Sequence, residues 1–209
     1  MPDTTNTLKF IPPPNFSIPT SRLHISYFEP ENPDHSAFLY RVWNTDDLVK
    51  TIGKTSITSV ETAAGFLRDK VQSDYNRNKY GLFLVSLKPH ARASLKESKM
   101  IGTVSLMKRE PPNGYSVPDV GYAILPEESG RGYATEAAAG LIEYARRELG
   151  VEGVAGFCGK DDMRSRRVLE KIGMEFRGER QLKAFGGKES AVYCWPGMSA
   201  DLKVYGIDD

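Results

Sequence analysis

Hydrophobic and polar residues alternate from Arg22 to Tyr27, with Leu23, Ile25 and Tyr27 on one side and Arg22, His24 and Ser26 on the other. That is the period of a half-buried strand. Phe38, Leu39, Val42 and Trp43 share one face of a helix ending near Asn44. A second helix opens at Thr58, where Glu61 three residues on makes a capping-box pattern, and it turns Ala63, Phe66, Leu67 and Val71 inward. Two β-forming runs, Tyr80 to Leu87 and Met100 to Met107, predict strands joined by a solvated basic loop from Lys88 to Lys99. A further strand, Pro118 to Ile124, leads into a glycine-bearing turn.

The clearest helical period follows: Ala134, Ala137, Ala138, Leu141, Ile142, Ala145 and Leu149 fall on one face, and Gly150 is placed to end the helix. Val154 to Cys158 reads as a short buried strand, followed by a helix whose inner face holds Ser165, Val168, Leu169 and Ile172 and which stops at Gly173. Met174 to Lys183 and Glu189 to Trp195 form a closing hairpin around Gly186 and Gly187. Strands interleaved with helices predict one mixed α/β (α+β) domain over residues 21–197, without internal repeats. Residues 1–20, polar and rich in proline, read as an extended flexible arm, and residues 198–209 as a tail.

Composition narrows the classes. With 40% apolar and 26% charged residues the chain is an ordinary globular protein. A net charge of +1 argues against a dedicated nucleic-acid binder, and no apolar run is long enough to span a membrane. Cys158 and Cys194 are the only cysteines, too far apart for a disulfide framework or a metal-ligand spacing, and His24, His35 and His90 are scattered, so no metal is expected. No secretory signal is visible, which leaves a reducing compartment, the cytoplasm with the nucleus open as a second location.

Candidate chemistry begins at Ser129-Gly130-Arg131-Gly132-Tyr133-Ala134, between a strand and a long helix. Glycines let the backbone approach a ligand, and free amides at a helix start converge on one point, which favours phosphate. Neither the P-loop signature nor the full dinucleotide fingerprint is present. The run Gly121-Tyr122-Ala123-Ile124-Leu125-Pro126-Glu127-Glu128-Ser129-Gly130-Arg131-Gly132-Tyr133-Ala134-Thr135-Glu136-Ala137 resembles the coenzyme motif of the GNAT acetyltransferases. Asp162-Met163-Arg164-Ser165-Arg166-Arg167-Val168-Leu169-Glu170-Lys171-Ile172-Gly173-Met174 resembles a second block of the ribosomal-protein N-acetyltransferase branch.

This resemblance implies a splayed mixed sheet of about six to seven strands flanked by helices. It also implies acetyl-CoA as acyl donor and a primary amine as acceptor (a protein N-terminus or a small molecule) for a monomer or homodimer; with no activated nucleophile evident, transfer is expected to be direct within a ternary complex. Pantetheine would follow the strand to Ile124 and Leu125, and the pyrophosphate would meet the amides of Gly130, Arg131, Gly132, Tyr133, Ala134 and Thr135. Three positions depart from the family: Ser129 replaces Arg or Gln, Asp162 replaces an Asn that faces the pantetheine arm, and Leu169 stands where many members carry a tyrosine acid.

Acetyl transfer needs a neutral amine and a proton for the departing thiolate. Asp119, two residues before Gly121, is the first choice for base, against the plainer role of an exposed carboxylate at a strand start. Ser165 is the candidate acid, against a helix serine bonded to its own backbone. Asp162 also suits a helix N-cap. Cys158 raises a covalent alternative that no histidine supports. Glu136 reads as structural, while Arg166 and Arg167 meet either a coenzyme phosphate or water. Two other functions fit the same motifs, a small-molecule detoxifying acetyltransferase and an acyl-CoA-binding module without catalysis.

Overall fold

The computed structural model describes residues 9–110 and 114–207. Eight strands form one sheet in the order β1-β2-β3-β4-β5-β6-β8-β7. Their ranges are β1 Ile18–Pro19, β2 Leu23–Tyr27, β3 Leu82–Leu87, β4 Lys99–Met107, β5 Asp119–Ile124, β6 Ala155–Gly159, β7 Glu175–Leu182 and β8 Lys188–Cys194. Every neighbouring pair is antiparallel except β5 and β6, which are parallel. The helices are α1 Pro33–Trp43, α2 Asp46–Ile52, α3 Val60–Phe66, α4 Gln72–Asn78, α5 Tyr133–Leu149 and α6 Met163–Lys171.

Helix α5 buries the alanine and leucine face that its period predicts, with Ala137, Ala138, Leu141, Ile142 and Ala145 fully enclosed, against β2, β4 and β5. Gly150 closes it in the left-handed conformation at φ 66°, a cap that suits glycine. Helix α6 lies against β6 and β7, and its Leu169 occupies the space a side chain at Gly156 would need.

Four features differ from the sequence reading. Helix α2 is additional; it has no buried residue, so it leaves no apolar period to detect. The second predicted helix is capped by Ser59 rather than Thr58, with Thr62 as its reciprocal partner, and a π-turn over Leu67–Val71 carries it on into α4. The eighth strand is β1, which lies within the expected arm. Residues 9–20 pack on the domain: Ile18 is buried, Phe10 and Phe16 stack on Tyr27, and Gln72 Nε2 donates to the Phe10 carbonyl at 2.8 Å. The rest of the arm, residues 1–8, lies outside the described residues.

Beyond residue 197, Met198, Leu202 and Ile207 complete a second core with Ala155, Leu182, Val192 and Cys194, so the tail seals the end of the sheet. Ordering these segments is offset by the apolar side chains they bury, which a proline-rich or polar composition conceals.

Strand register at β4 and β5 sets the chemistry, and Gly102 protects it. A Cβ at Gly102 would sit 2.3 Å from the Ala123 carbonyl oxygen, a backbone atom that cannot swing aside. Gly102→Ala is expected to destabilise the domain by about 1 to 3 kcal/mol, the scale of overpacking. Thermal melting checks this, and an unchanged Tm would contradict the register.

Candidate active site

Strands β5 and β6 pair at only two positions, Asp119 with Ala155 and Val120 with Gly156. β6 pairs with β8 along its whole length, from Ala155 with Cys194 to Gly159 with Ser190, whereas the β5 edge from Gly121 to Ile124 has no partner in β6. A cleft of about 510 Å³ opens at the fork. Thr103 and Ser105 of β4 line it together with β5 from Asp119 to Ala123. Gly121 keeps the cleft open, because a Cβ there would meet Ser105 Oγ at 2.8 Å.

Both predicted catalytic side chains line this cleft, as do Asp162 and Cys158. Enclosure by the cleft walls pushes the Asp119 carboxyl up to about 6, although the Arg109 guanidinium and the residue's own amide pull it back. A carboxylate there is ionised at neutral pH yet close enough to its titration to accept a proton. Ser165 faces inward as its spacing predicts, but its hydroxyl is engaged. Ser165 Oγ donates to Asp162 Oδ2 at 2.7 Å, and the Ser165 amide donates to Asp162 Oδ1 at 3.0 Å. Asp162 is therefore the N-cap of α6, and the Ser165 proton points at a carboxylate.

Burial pushes the Cys158 thiol up to about 11, with Asp162 adding to the effect, so it stays protonated and unreactive near neutral pH. Leu169 is buried against Gly156. The hydroxyl that enters this region is that of Tyr122, which donates to the Ser165 carbonyl at 3.0 Å and which burial holds above its usual range.

The glycine turn lies past the open edge of β5. Gly130 and Gly132 have φ of 78° and 81°, conformations that strain other residues. The first helical bond of α5 is Glu136 N to Gly132 O at 3.0 Å, so the amides of Tyr133, Ala134 and Thr135 precede any intrahelical partner. Of the other expected coenzyme contacts, Ile124 belongs to the open edge. Leu125 is enclosed, its amide donates to Ile101 and its carbonyl accepts from Glu128 and Ser129, so it shapes the turn without offering a polar group. Arg131 Nη1 is held by Glu128 at 3.1 Å, and Lys99 Nζ reaches the same buried carboxylate at 2.6 Å.

Several site residues escaped the sequence reading. Arg22, at the start of β2, donates Nη1 to the Arg131 carbonyl at 3.0 Å and Nε to Glu136 at 2.6 Å, and lies 4.6 Å over the Tyr133 ring. Glu136 also accepts from Thr20 Oγ1 at 2.6 Å, which confirms its structural role and ties the N-terminal segment to the turn. Arg109 stacks over Phe185, and Leu48 and Ile52 of α2 reach the cleft mouth. Arg166 pairs with Glu179 at 2.5 Å and lies over Phe176, whereas Arg167 faces solvent. Among the described residues, no group of three or more His, Cys, Asp or Glu could hold a metal ion, and no helix is long and apolar enough to cross a membrane.

A forked mixed sheet, with a glycine turn and a long helix start beyond the open edge of β5, defines the α/β fold of this protein. Residues 22–175 match the acetyltransferase (GNAT) domain, and the chain belongs to that family. It is 33% identical over 60 residues to the uncharacterized N-acetyltransferase YnaD of Bacillus subtilis (strain 168), a match covering 29% of this chain and 35% of that one. The fold is similar to that of a ribosomal-protein-S5-alanine acetyltransferase from Vibrio fischeri, with a TM-score of 0.67 at 18% identity over 86% of this chain and 95% of that one. It is also similar to that of a ribosomal L7/L12 alpha-N-protein acetyltransferase in complex with coenzyme A, with a TM-score of 0.66 at 16% identity over 86% and 97% of the two chains.

Asp119 makes the site costly to the fold. Its folded carboxyl holds a proton more tightly than the unfolded chain does, so the penalty is absent below the unfolded pKa near 4 and complete above about pH 7. Asp119→Asn is therefore expected to stabilise the protein at pH 8 by on the order of 1 to 3 kcal/mol, with the gain gone by about pH 4. Denaturant titrations of both proteins across that range check the sign, and a variant less stable at pH 8 would refute it.

Proposed function

We propose that this protein transfers an acetyl group from acetyl-CoA to a primary amine, directly within a ternary complex. One observation carries the reading: a carboxyl raised towards neutrality sits at the vertex of a fork whose open strand edge leads to a glycine turn at the start of a long helix. The open edge from Gly121 to Ile124 can pair with the amides of a pantetheine arm as an added strand would. The turn from Gly130 to Thr135 would hold the pyrophosphate through backbone amides. A substituted Ser129 is harmless there, because its hydroxyl serves the Leu125 carbonyl and the amides do the binding.

Asp119 would accept the proton of the attacking amine, directly or through one water, as nitrogen bonds to the thioester carbonyl carbon. The carbon–sulfur bond then breaks, and the departing thiolate needs a proton. Supplying it from Ser165, as the family resemblance implies, would break the bond from Ser165 to Asp162. A thiol has an ordinary pKa near 8.5, so water is an adequate donor. We therefore assign Ser165 and Asp162 mainly to holding the start of α6 at the cleft wall. Cys158 takes no acyl group because its thiol remains protonated.

Two outcomes test the assignment. Asp119→Asn is expected to lower kcat by on the order of 10² to 10⁴, with Ser165→Ala costing about tenfold or less, while the KM for acetyl-CoA barely moves. In the wild type kcat/KM should fall tenfold per pH unit below about pH 6 as Asp119 takes up a proton, and that limb should vanish in the Asn variant. A wild-type rate in Asp119→Asn on an accepted amine would remove Asp119 from the reaction.

The cradle is tested apart from the chemistry. Arg22→Ala removes the guanidinium that fixes the Arg131 carbonyl and should weaken coenzyme A binding by roughly tenfold, the equivalent of about 1.4 kcal/mol. Turnover of acetyl-pantetheine, which lacks the pyrophosphate, should not change. Calorimetry and thiol release measure the two; equal losses on both donors would mean that Arg22 only stabilises the fold.

A further inference from the structure

The open question is which amine enters the cleft, and the charges that face it carry an answer. Asp119 is paired with Met107 in the β4–β5 register, and Arg109 follows two residues later, so both lie where the same two strand ends meet the cleft. They act on one another, since the Arg109 charge draws the Asp119 carboxyl down, yet no ion pair within 4.0 Å joins them among the described residues. Arg109 is nonetheless held firmly. Its Nη1 donates to the Ala184 carbonyl at 3.2 Å, and its guanidinium lies 4.6 Å over the Phe185 ring.

Among the described residues, that arrangement uses one nitrogen and one face of the guanidinium. The remaining donors of a half-buried arginine, shielded from water on its aromatic side, form a receptor for a planar anion. The other charges around the cleft do not occupy it. Glu189 is taken by Lys160 at 2.5 Å, Asp162 caps α6, and Lys188 at the rim adds positive charge. The cleft thus presents a carboxylate suited to an ammonium group and, close by, an arginine suited to a carboxylate. Above them stands an apolar wall of Trp43, Leu48 and Ile52, the last 52% exposed.

We infer that the acceptor is a free amino acid or similar small amino-carboxylate, with its amine directed to Asp119, its carboxylate to Arg109 and an apolar side chain to the α2 wall. This rests on the acetyl-transfer reading above. A protein N-terminus would bring a neutral peptide carbonyl to Arg109 instead of a carboxylate and would forgo the charge-assisted contact. Arg109 here is a specificity residue, and the reaction is unchanged: the entering ammonium gives one proton to water, the neutral nitrogen then takes the acetyl group and passes a second proton to Asp119, and the thiolate leaves and takes a proton from water.

The test compares L-phenylalanine, L-leucine and L-methionine with their amides and with a tripeptide beginning in phenylalanine, following thiol release from acetyl-CoA. The wild type is expected to use the free acids with kcat/KM about tenfold or more above the amides. Arg109→Gln should erase that preference by lowering the free acids alone, with coenzyme A affinity unchanged, and Arg109→Lys should restore part of it. Amides or the tripeptide used as well as the acids, or an equal loss on both in Arg109→Gln, would overturn the inference while leaving acetyl transfer intact. Coenzyme A binding without acetylation of the free acids would overturn the inference alone, because acetyl transfer to another class of amine would remain. The ratio in the wild type decides the matter even if an Arg109 variant fails to fold.

Discussion

The structure depends on a sheet that stops being a sheet. Parallel pairing between β5 and β6 lasts for two residues, while β6 stays paired with β8 throughout and α6 packs on it, its Leu169 filling the space left by Gly156. A continuous ladder would have satisfied the β5 edge and closed the cleft. The fork leaves backbone groups ready for a ligand and places Asp119 at the vertex, where enclosure raises its carboxyl towards neutrality. A half-buried carboxylate of this kind works against stability at neutral pH.

The second support is the network around the turn that starts α5. Two carboxylates organise it, Glu128 holding Lys99 and Arg131, and Glu136 holding Thr20 and Arg22. Both ion-pair sets are partly solvated, so each contributes little to global stability. Their effect is local: Arg22, held by Glu136, fixes the Arg131 carbonyl at the turn. Through Thr20 and Arg22 the packed N-terminal segment is tied to the turn that starts α5, although it is far from it in sequence.

Much of the fold was legible because its signals are local. The α5 period, the Gly150 cap, the hairpin at Gly186 and Gly187 and the inward position of Ser165 follow from spacing alone. Asp119, Ser165 and Asp162 were also picked from the sequence and do come together in one cleft. What spacing could not reveal is how a side chain is spent. Ser165 faces the cleft, but its proton goes to Asp162, and Leu125 lies at the right place with its polar groups already satisfied. Arg109 meeting Phe185, or Arg22 meeting Glu136, joins segments far apart in the chain, and no local pattern encodes such a meeting. Helix α2 escaped because it buries nothing, and the packed arm because three apolar residues, Phe10, Phe16 and Ile18, are scattered among prolines.

The central claim is that one fork holds the coenzyme along its open edge and at the adjoining turn. Amide hydrogen exchange with and without acetyl-CoA examines it residue by residue, since a bound ligand slows exchange at the amides it covers. The account predicts new protection at Gly121 to Ile124 and at Arg131 to Thr135, with the second core around Leu182 and Ile207 unchanged. Protection confined to other elements, or none at saturating acetyl-CoA, would contradict it.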